Sequence, residues 1–282
     1  MTTLDFFSTH PAAATRQFRL PVQPTLVLAW LIIAVAVAWA VAPGLFTPHS
    51  GTIGIAGNQL RAPDAAHWLG TDEIGRDVLA RIIYGAVNSL TGALVAVGVG
   101  LTGGISLGVI AGAVGGRTDA VIMRLVDVLL SVPGLLLQLS IIIILGFGTV
   151  NVAAAVGATS IAGFARLMRA EVIRVRRADY VEAAFGSGGR FATVLWRHVL
   201  PNALGTVVAY AALQFGTAIL AIATLGFLGY GAPPPTPEWG LLISEGRKYL
   251  TSAWWLTTFP GVAVILVVLA ANRISQSLQR TP

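Results

Sequence analysis

The chain has no cysteine, only one lysine among its eighteen basic residues, and little charge of either sign. Without cysteine it can form neither a disulfide nor a thiolate metal site. His10, His49, His67 and His198 share no ligand spacing, so no metal site is expected. No Walker or glycine-rich nucleotide pattern and no Ser-His-Asp grouping is present, so the chain is not expected to hydrolyse ATP or to act as an enzyme. Charged residues make up 11% of the sequence, against roughly 25% in an ordinary soluble domain. The net charge of +6 does not point to nucleic acid, because the basic residues gather between apolar blocks instead of forming a binding stripe.

What the sequence has instead is apolar length. Hydrophobic residues account for 55% of it. Runs without acidic or basic residues extend from Leu20 to Leu60, Ile82 to Gly116, Val128 to Ala165, Val199 to Pro237 and Leu250 to Asn272. Each is long enough for a membrane span of ~20 residues. Turn and break signals divide them into six spans, at about 25–42, 87–114, 121–145, 152–167, 203–228 and 255–271. Residues 1–24 are polar and lack a small-residue cleavage site, so the first apolar block is expected to remain as a span.

Arginine placement orients the chain. Thirteen basic residues fall on the side of the termini, among them Arg16, Arg19 and Arg280, and five on the other, Arg61, Arg76, Arg81, Arg247 and Lys248. The positive-inside rule then puts both termini and 166–202 in the cytoplasm, and 43–81 and 229–254 outside. The expected organisation is a cytoplasmic tail (1–24), a first span (25–42), an external segment (43–86), a core of five spans (87–272) and a short cytoplasmic tail (273–282). The stripe Gly104, Gly108 and Gly112 lets another helix approach closely, either within this chain or from a pore or subunit contact. Asp127 is expected to pair with Arg124 three residues before it.

Two segments carry the functional reading. Between spans 4 and 5, a helix-forming stretch around Tyr180, Glu182, Ala183 and Ala184 is followed by a glycine break at Gly186–Gly189. A second helical stretch leads to Leu200 and Pro201, with the proline near the first turn of span 5. A short arginine-flanked helix there suits docking to another protein, and also suits lying on anionic headgroups. In the external segment, Gly70, Thr71, Asp72, Glu73, Gly75, Arg76 and Asp77 cluster three carboxylates with an arginine. Hard-ion loops need more oxygen ligands than this, so a structural ion network is expected. Ile74, Val78 and Ile82 recur at helical spacing. That predicts an amphipathic helix over 69–84, capped by Asp72, with Arg76 and Asp77 facing away.

The chain resembles the ATP-binding-cassette importer permeases. Glu182-Ala183-Ala184, Gly188 six residues after the glutamate, and Leu200-Pro201 reproduce that family's signature. Gly70-Thr71-Asp72 through Gly75-Arg76-Asp77, with Pro237-Glu238-Trp239-Gly240, Glu245-Gly246-Arg247 and Phe259-Pro260-Gly261, is similar to the second membrane subunit of dipeptide, oligopeptide and nickel importers. The resemblance implies an all-α, six-helix type I importer bundle in a bacterial inner membrane, with a cytoplasmic coupling helix around 179–188. It implies a homologous second permease and two ATPase subunits that hold the ATP and magnesium. It further implies an extracytoplasmic substrate-binding protein docking near 70–77 and Trp239-Gly240, and surrounding lipid. Peptide is the expected cargo, with nickel or another small solute as the alternative. A secondary transporter would show internal repeats, which are not seen. An intramembrane enzyme would need paired polar groups within spans, where only Asp127 is ionisable.

Overall fold

A computed structural model describes residues 23–279. Most of the N-terminal tail, with His10, Arg16 and Arg19, lies outside the described residues, as does Arg280. The chain is a bundle of α-helices. Among the described residues, five are long and apolar enough to cross a membrane, and a sixth span is formed if one sharply bent pair is counted together.

The first span, α1 (Pro24–Val41), begins on a proline, where a missing N–H costs nothing. Residues 43–77 then wind over one end of the bundle. Helix α2 (Val78–Val114) follows, 37 residues and so ~55 Å long, which exceeds the ~30 Å hydrocarbon core. Its cap is Asp77, whose side chain accepts from the Ala80 N–H at 2.7 Å. This corrects the amphipathic helix expected over 69–84. Residues 70–77 form turns instead, Asp72 caps nothing, and Arg76 and Asp77 are buried. The apolar stripe holds only from Val78 onward, since Ile74 is left half exposed.

The third span is broken. Helix α3 (Gly116–Ser131) meets α4 (Gly134–Leu145) at an angle of 96°. Pro133 cannot donate to the helix ladder and forces Val132 into extended geometry, φ −87° and ψ 132°. Helix α5 (Thr149–Arg176) runs parallel to α2 and continues well past the expected end of span 4. The two helices meet along the glycine stripe, which resolves its partner as this chain's own α5. A methyl at Gly104 would overlap the Cβ of Phe164, and one at Gly108 would lie 2.6 Å from the Ala165 carbonyl oxygen. Asp127 pairs not with Arg124 but with Arg166 of α5, at 2.6 Å, because the tilt of α3 carries it across the α5 face.

A short helix, α6 (Asp179–Gly186), follows α5. The next helix is continuous from Phe191 to Phe227. It comprises α7 (Phe191–Val194), a π-helical turn at Leu195–Val199, and α8 (Leu200–Phe227). Pro201 therefore lies inside a long helix instead of starting one, and the wide turn before it makes room for its ring against the preceding carbonyls. Helix α9 (Trp239–Gly246) and the final span α10 (Trp255–Gln279) complete the bundle.

Two large clusters make up most of the core among the described residues. Near the 43–77 end, Ile82, Leu90, Val152, Ile222, Trp239 and Trp255 pack together. Toward the other end, Phe164, Met168, Val172, Val181, Val194 and Val207 form the second cluster, which ties α6 and the π-turn to α5 and α8.

Candidate functional site

The site at the α6 end is built from the α2–α5 packing outward. Arg176, in the last turn of α5, donates through Nη1 to the carbonyls of Gly112 and Ala113, both at 2.8 Å. It thereby satisfies carbonyls at the end of α2 that have no intrahelical partner. Its guanidinium also lies over the Phe191 ring, 5.8 Å from the centroid. Helix α6 grows from this anchor and has no side-chain cap of its own. Val181 is its one fully buried residue. Tyr180, Glu182, Ala183 and Phe185 are exposed, and Ala184 is half-buried. The helix is thus pinned by one valine and presents its remaining surface outward.

Its exit depends on backbone geometry. The N–H groups of Ser187, Gly188 and Gly189 bond to the carbonyls of Ala183, Phe185 and Ala184 at 2.9, 2.9 and 3.0 Å. Gly188 has φ +85°, with no atom within 4 Å of the position a Cβ would take. The glycine is required there by conformation, not by space. Leu200 and Pro201 lie across the π-turn from α6, Leu200 half-buried and Pro201 exposed. Near this end Arg169 also forms a paired ion contact with Asp119 of α3.

At the opposite end, the polar residues of the 70–77 segment are turned inward. Asp72 is 2% exposed. One of its oxygens accepts the N–H groups of Ile74 (3.1 Å) and Arg76 (2.9 Å). The other accepts Arg76 Nε (2.5 Å) and Arg81 Nη1 (2.8 Å). Glu245, on α9, closes the network by accepting from the same Arg81 nitrogen, and Glu73 accepts from Arg76. A structural ion network was the expectation for these residues, and this is its form. Thr71 bonds Arg61 N–H through its hydroxyl and accepts Trp255 Nε1–H through its carbonyl. Gly70 and Gly75 make the turns, and Gly240 lets α9 lie directly against the Ala223 carbonyl of α8. Glu73 and Glu245 keep part of their side chains in solvent, whereas Asp72, Arg76 and Arg81 are buried.

The sequence reading missed Glu238 and the long-range role of Glu245. Glu238 is 1% exposed and caps α9, accepting from the N–H groups of Gly240 (2.9 Å) and Leu241 (3.0 Å). Burial pushes its carboxyl up to about 7, against the downward pull of these amides and of the Ser89 hydroxyl. The signal was an acidic residue just before the apolar run Trp239–Leu242. The sequence reading also found no histidine grouping. The fold brings His49, His67 and Asp77 together, with ligand-capable atoms within 4.8 Å of one another. His67 Nδ1 is already 2.9 Å from Asp77, its Nε2 lies 3.3 Å from the Asn58 amide, and the other Asp77 oxygen caps α2. These contacts make His67 a strut that holds the 58–67 loop to the start of α2.

A long glycine-bearing helix packed on a second span, then a short outward helix, then a proline-bearing span, is an arrangement that can be compared with known proteins. Residues 104–281 match the family described as binding-protein-dependent transport system inner membrane component. The chain belongs to this family. It is 40% identical, over 88% of its length and 82% of the relative's, to the dipeptide transport system permease protein DppC of Alkalihalophilus pseudofirmus. It is also 40% identical to the glutathione transport system permease protein GsiD of Pectobacterium atrosepticum, over 77% of this chain and 72% of the relative. Among solved structures, a chain of the inward-facing MetNI methionine ABC transporter superposes with a TM-score of 0.56 at 18% identity, covering 71% of this chain and 97% of that one. The fold is therefore that of an ABC importer membrane subunit. The matched region takes in the broken span, α6, Pro201 and Glu245, while Asp72, Arg76 and Arg81 precede it.

Proposed function

We propose that the chain is one of two membrane subunits of an ATP-driven peptide importer and that α6 is its coupling helix. The observation that carries this reading is the presentation of α6: one buried valine holds it, and Tyr180, Glu182, Ala183 and Phe185 face outward together. Small Ala183 and Ala184 let a partner surface approach closely. Movement of that partner is transmitted through Val181 into the cluster of Met168, Val172 and Val207, and so into α5 and α8. ATP and magnesium belong to the ATPase partners. A homologous permease supplies the rest of the passage. ATP and the loaded binding protein drive transport by favouring different states of the bundle.

In this reading α6 and both termini are cytoplasmic, in agreement with the arginine distribution. Residues 43–77 and the α8–α10 connector form the extracytoplasmic face. The buried Asp72 network keeps that face rigid and leaves direct contact with the binding protein to outer residues such as Glu73. Peptide is favoured as cargo because similar permeases are named for dipeptide and glutathione transport. The test uses the cysteine-free chain. Single cysteines at Ser50 and Ser187 are expected to react with an impermeant thiol reagent from opposite sides of the membrane. The reconstituted complex is expected to accumulate labelled dipeptide only with ATP. Labelling from one side, or uptake of nickel but not peptide, would refute the corresponding part.

A further inference from the structure

A polar cavity of about 290 Å³ opens between α4, α5 and α8, and nothing described above uses it. Gln138, Thr159, Ser160, Tyr210, Gln214 and Thr217 line it, and no acidic or basic residue is among its lining. Gln138 donates to the Thr159 hydroxyl at 3.2 Å, and Thr217 donates to the Gln214 side chain at 3.1 Å. Gln138 Oε1, Gln214 Nε2 and the Tyr210 hydroxyl have no partner among the described residues. Gly163 leaves room for that hydroxyl, which lies 2.9 Å from where a Cβ would stand.

The depth of the cavity is what gives it meaning. Ser160 and Gly163 lie roughly 15–20 Å along α5 from its Thr149 end, well within a ~30 Å hydrocarbon core. Amide side chains with unmet hydrogen bonds are costly against lipid at that depth. A second observation points the same way. The α3–α4 break lies at the cavity, with Leu130 and Gly134 in its wall, and Val132 is 38% exposed on this chain. Irregular backbone at membrane depth is tolerated only where protein covers it or where it lines water. One helical turn further toward α6, the Asp127–Arg166 pair is also exposed, at 60% and 55% of its side chains. The hydrophilic face is therefore continuous toward the cytoplasm.

We propose that this cavity is the chain's half of the transmembrane passage, and that Gln138, Gln214 and Tyr210 hydrogen-bond the main-chain amides of the moving peptide. Amide and hydroxyl side chains both donate and accept, as peptide groups do. A wall without charge neither rejects a peptide for its side-chain charge nor holds it too tightly to release, as conduction through a site demands. The proposal rests on the peptide-importer reading, and its test separates the two.

In the assembled complex in proteoliposomes, single cysteines at Thr159, Gln214 and Ile144 are treated with a charged methanethiosulfonate reagent. Ile144 is apolar and 82% exposed, and serves as the lipid-facing control. Thr159→Cys and Gln214→Cys are expected to react at least tenfold faster than Ile144→Cys, with the rate changing on ATP addition. Gln138→Leu combined with Gln214→Leu is expected to lower dipeptide uptake at least tenfold, with ATPase stimulation by the binding protein retained. Reaction no faster than at Ile144 in every nucleotide state would overturn the passage. Unchanged uptake in the double variant would overturn the main-chain contacts. Wild-type complex that moves another solute but no peptide refutes the importer reading, while the labelling result still judges the passage.

Discussion

Arg81 and Glu245 are 164 positions apart in sequence, yet their side chains meet at 2.8 Å. Arg81 is 3% exposed on its side chain, and its Nε and Nη2 atoms are buried without a partner. Its charge is balanced only by Asp72 and Glu245, so these two acids join the 70–77 turns, α2 and α9 into one rigid cap.

The first prediction follows from that arrangement. Asp72→Ala removes the buried carboxylate shared by Arg76 and Arg81, leaving them to Glu73 and Glu245, and is expected to destabilise the complex by ~3–5 kcal/mol, the range for breaking a buried ion pair. Glu245→Gln keeps an acceptor and leaves Asp72 in place, so ~1.5–3 kcal/mol is expected, the worth of a hydrogen bond to a charged group. Thermal unfolding of the purified complex at fixed detergent ranks the two. A loss of only ~1 kcal/mol for Asp72→Ala would show that the buried pairs around it are not what holds the cap together.

Much of the architecture is legible from sequence because lipid allows few alternatives. Apolar runs of span length must be helices, and the arginines between them mark the connections. Errors arise where charge and helicity diverge. Residues 168–176 carry three arginines and so resemble a loop, but Arg, Met, Ala and Glu are strong helix formers and α5 continues through them. Uniform hydropathy hides the break at Val132-Pro133, although the proline itself signals it. Of the two aspartates that could start α2, the cap is Asp77. Asp72 is recruited by Arg81 and Glu245, and no local pattern reveals a partner on α9. On α6 the signature residues lie together as the spacing implies, because the whole segment is local.

A second prediction compares two glycines of one helix. At Gly104 an added methyl overlaps Phe164, whereas at Gly98 nothing lies within 4 Å of it. Gly104→Ala is expected to force α2 from α5 and cost ~1–3 kcal/mol, as overpacking does. Gly98→Ala is expected to stabilise by ~0.5–1 kcal/mol through helix propensity. Equal melting temperatures for the two variants would show that the α2–α5 contact is not close-packed.

The third prediction concerns pH. Glu238 in the folded chain titrates near 7, pushed up by burial, against roughly 4.3 for an unperturbed glutamate. A raised value means the fold favours the protonated form. That stabilisation is complete below pH ~4.3 and is lost as pH rises through 7, with a total of roughly 3.5–4 kcal/mol. Melting temperature is expected to fall between pH 5.5 and 8.5, and Glu238→Gln to flatten that slope. Parallel profiles for the two proteins would mean that Glu238 is charged throughout.

The last prediction bears on coupling. Gly188 holds φ +85° with open space around it, so substitutions there act through the backbone alone. A β-branched residue is poorly accommodated in this region, at ~1–2 kcal/mol or more, whereas asparagine visits it readily. Gly188→Val is therefore expected to shift the exit of α6, abolish peptide uptake and break the link between ATP hydrolysis and transport. Gly188→Asn, although larger than alanine, is expected to keep most uptake. Glu182→Gln removes one exposed charge without moving the backbone, so its loss is expected to be smaller than that of Gly188→Val. Uptake and ATPase activity, measured together in the reconstituted complex, give the order. If valine and asparagine are equally harmful, size at a partner surface governs this position, and the left-handed turn does not. If valine leaves both activities linked, α6 is not the coupling element and lies instead against the lipid surface.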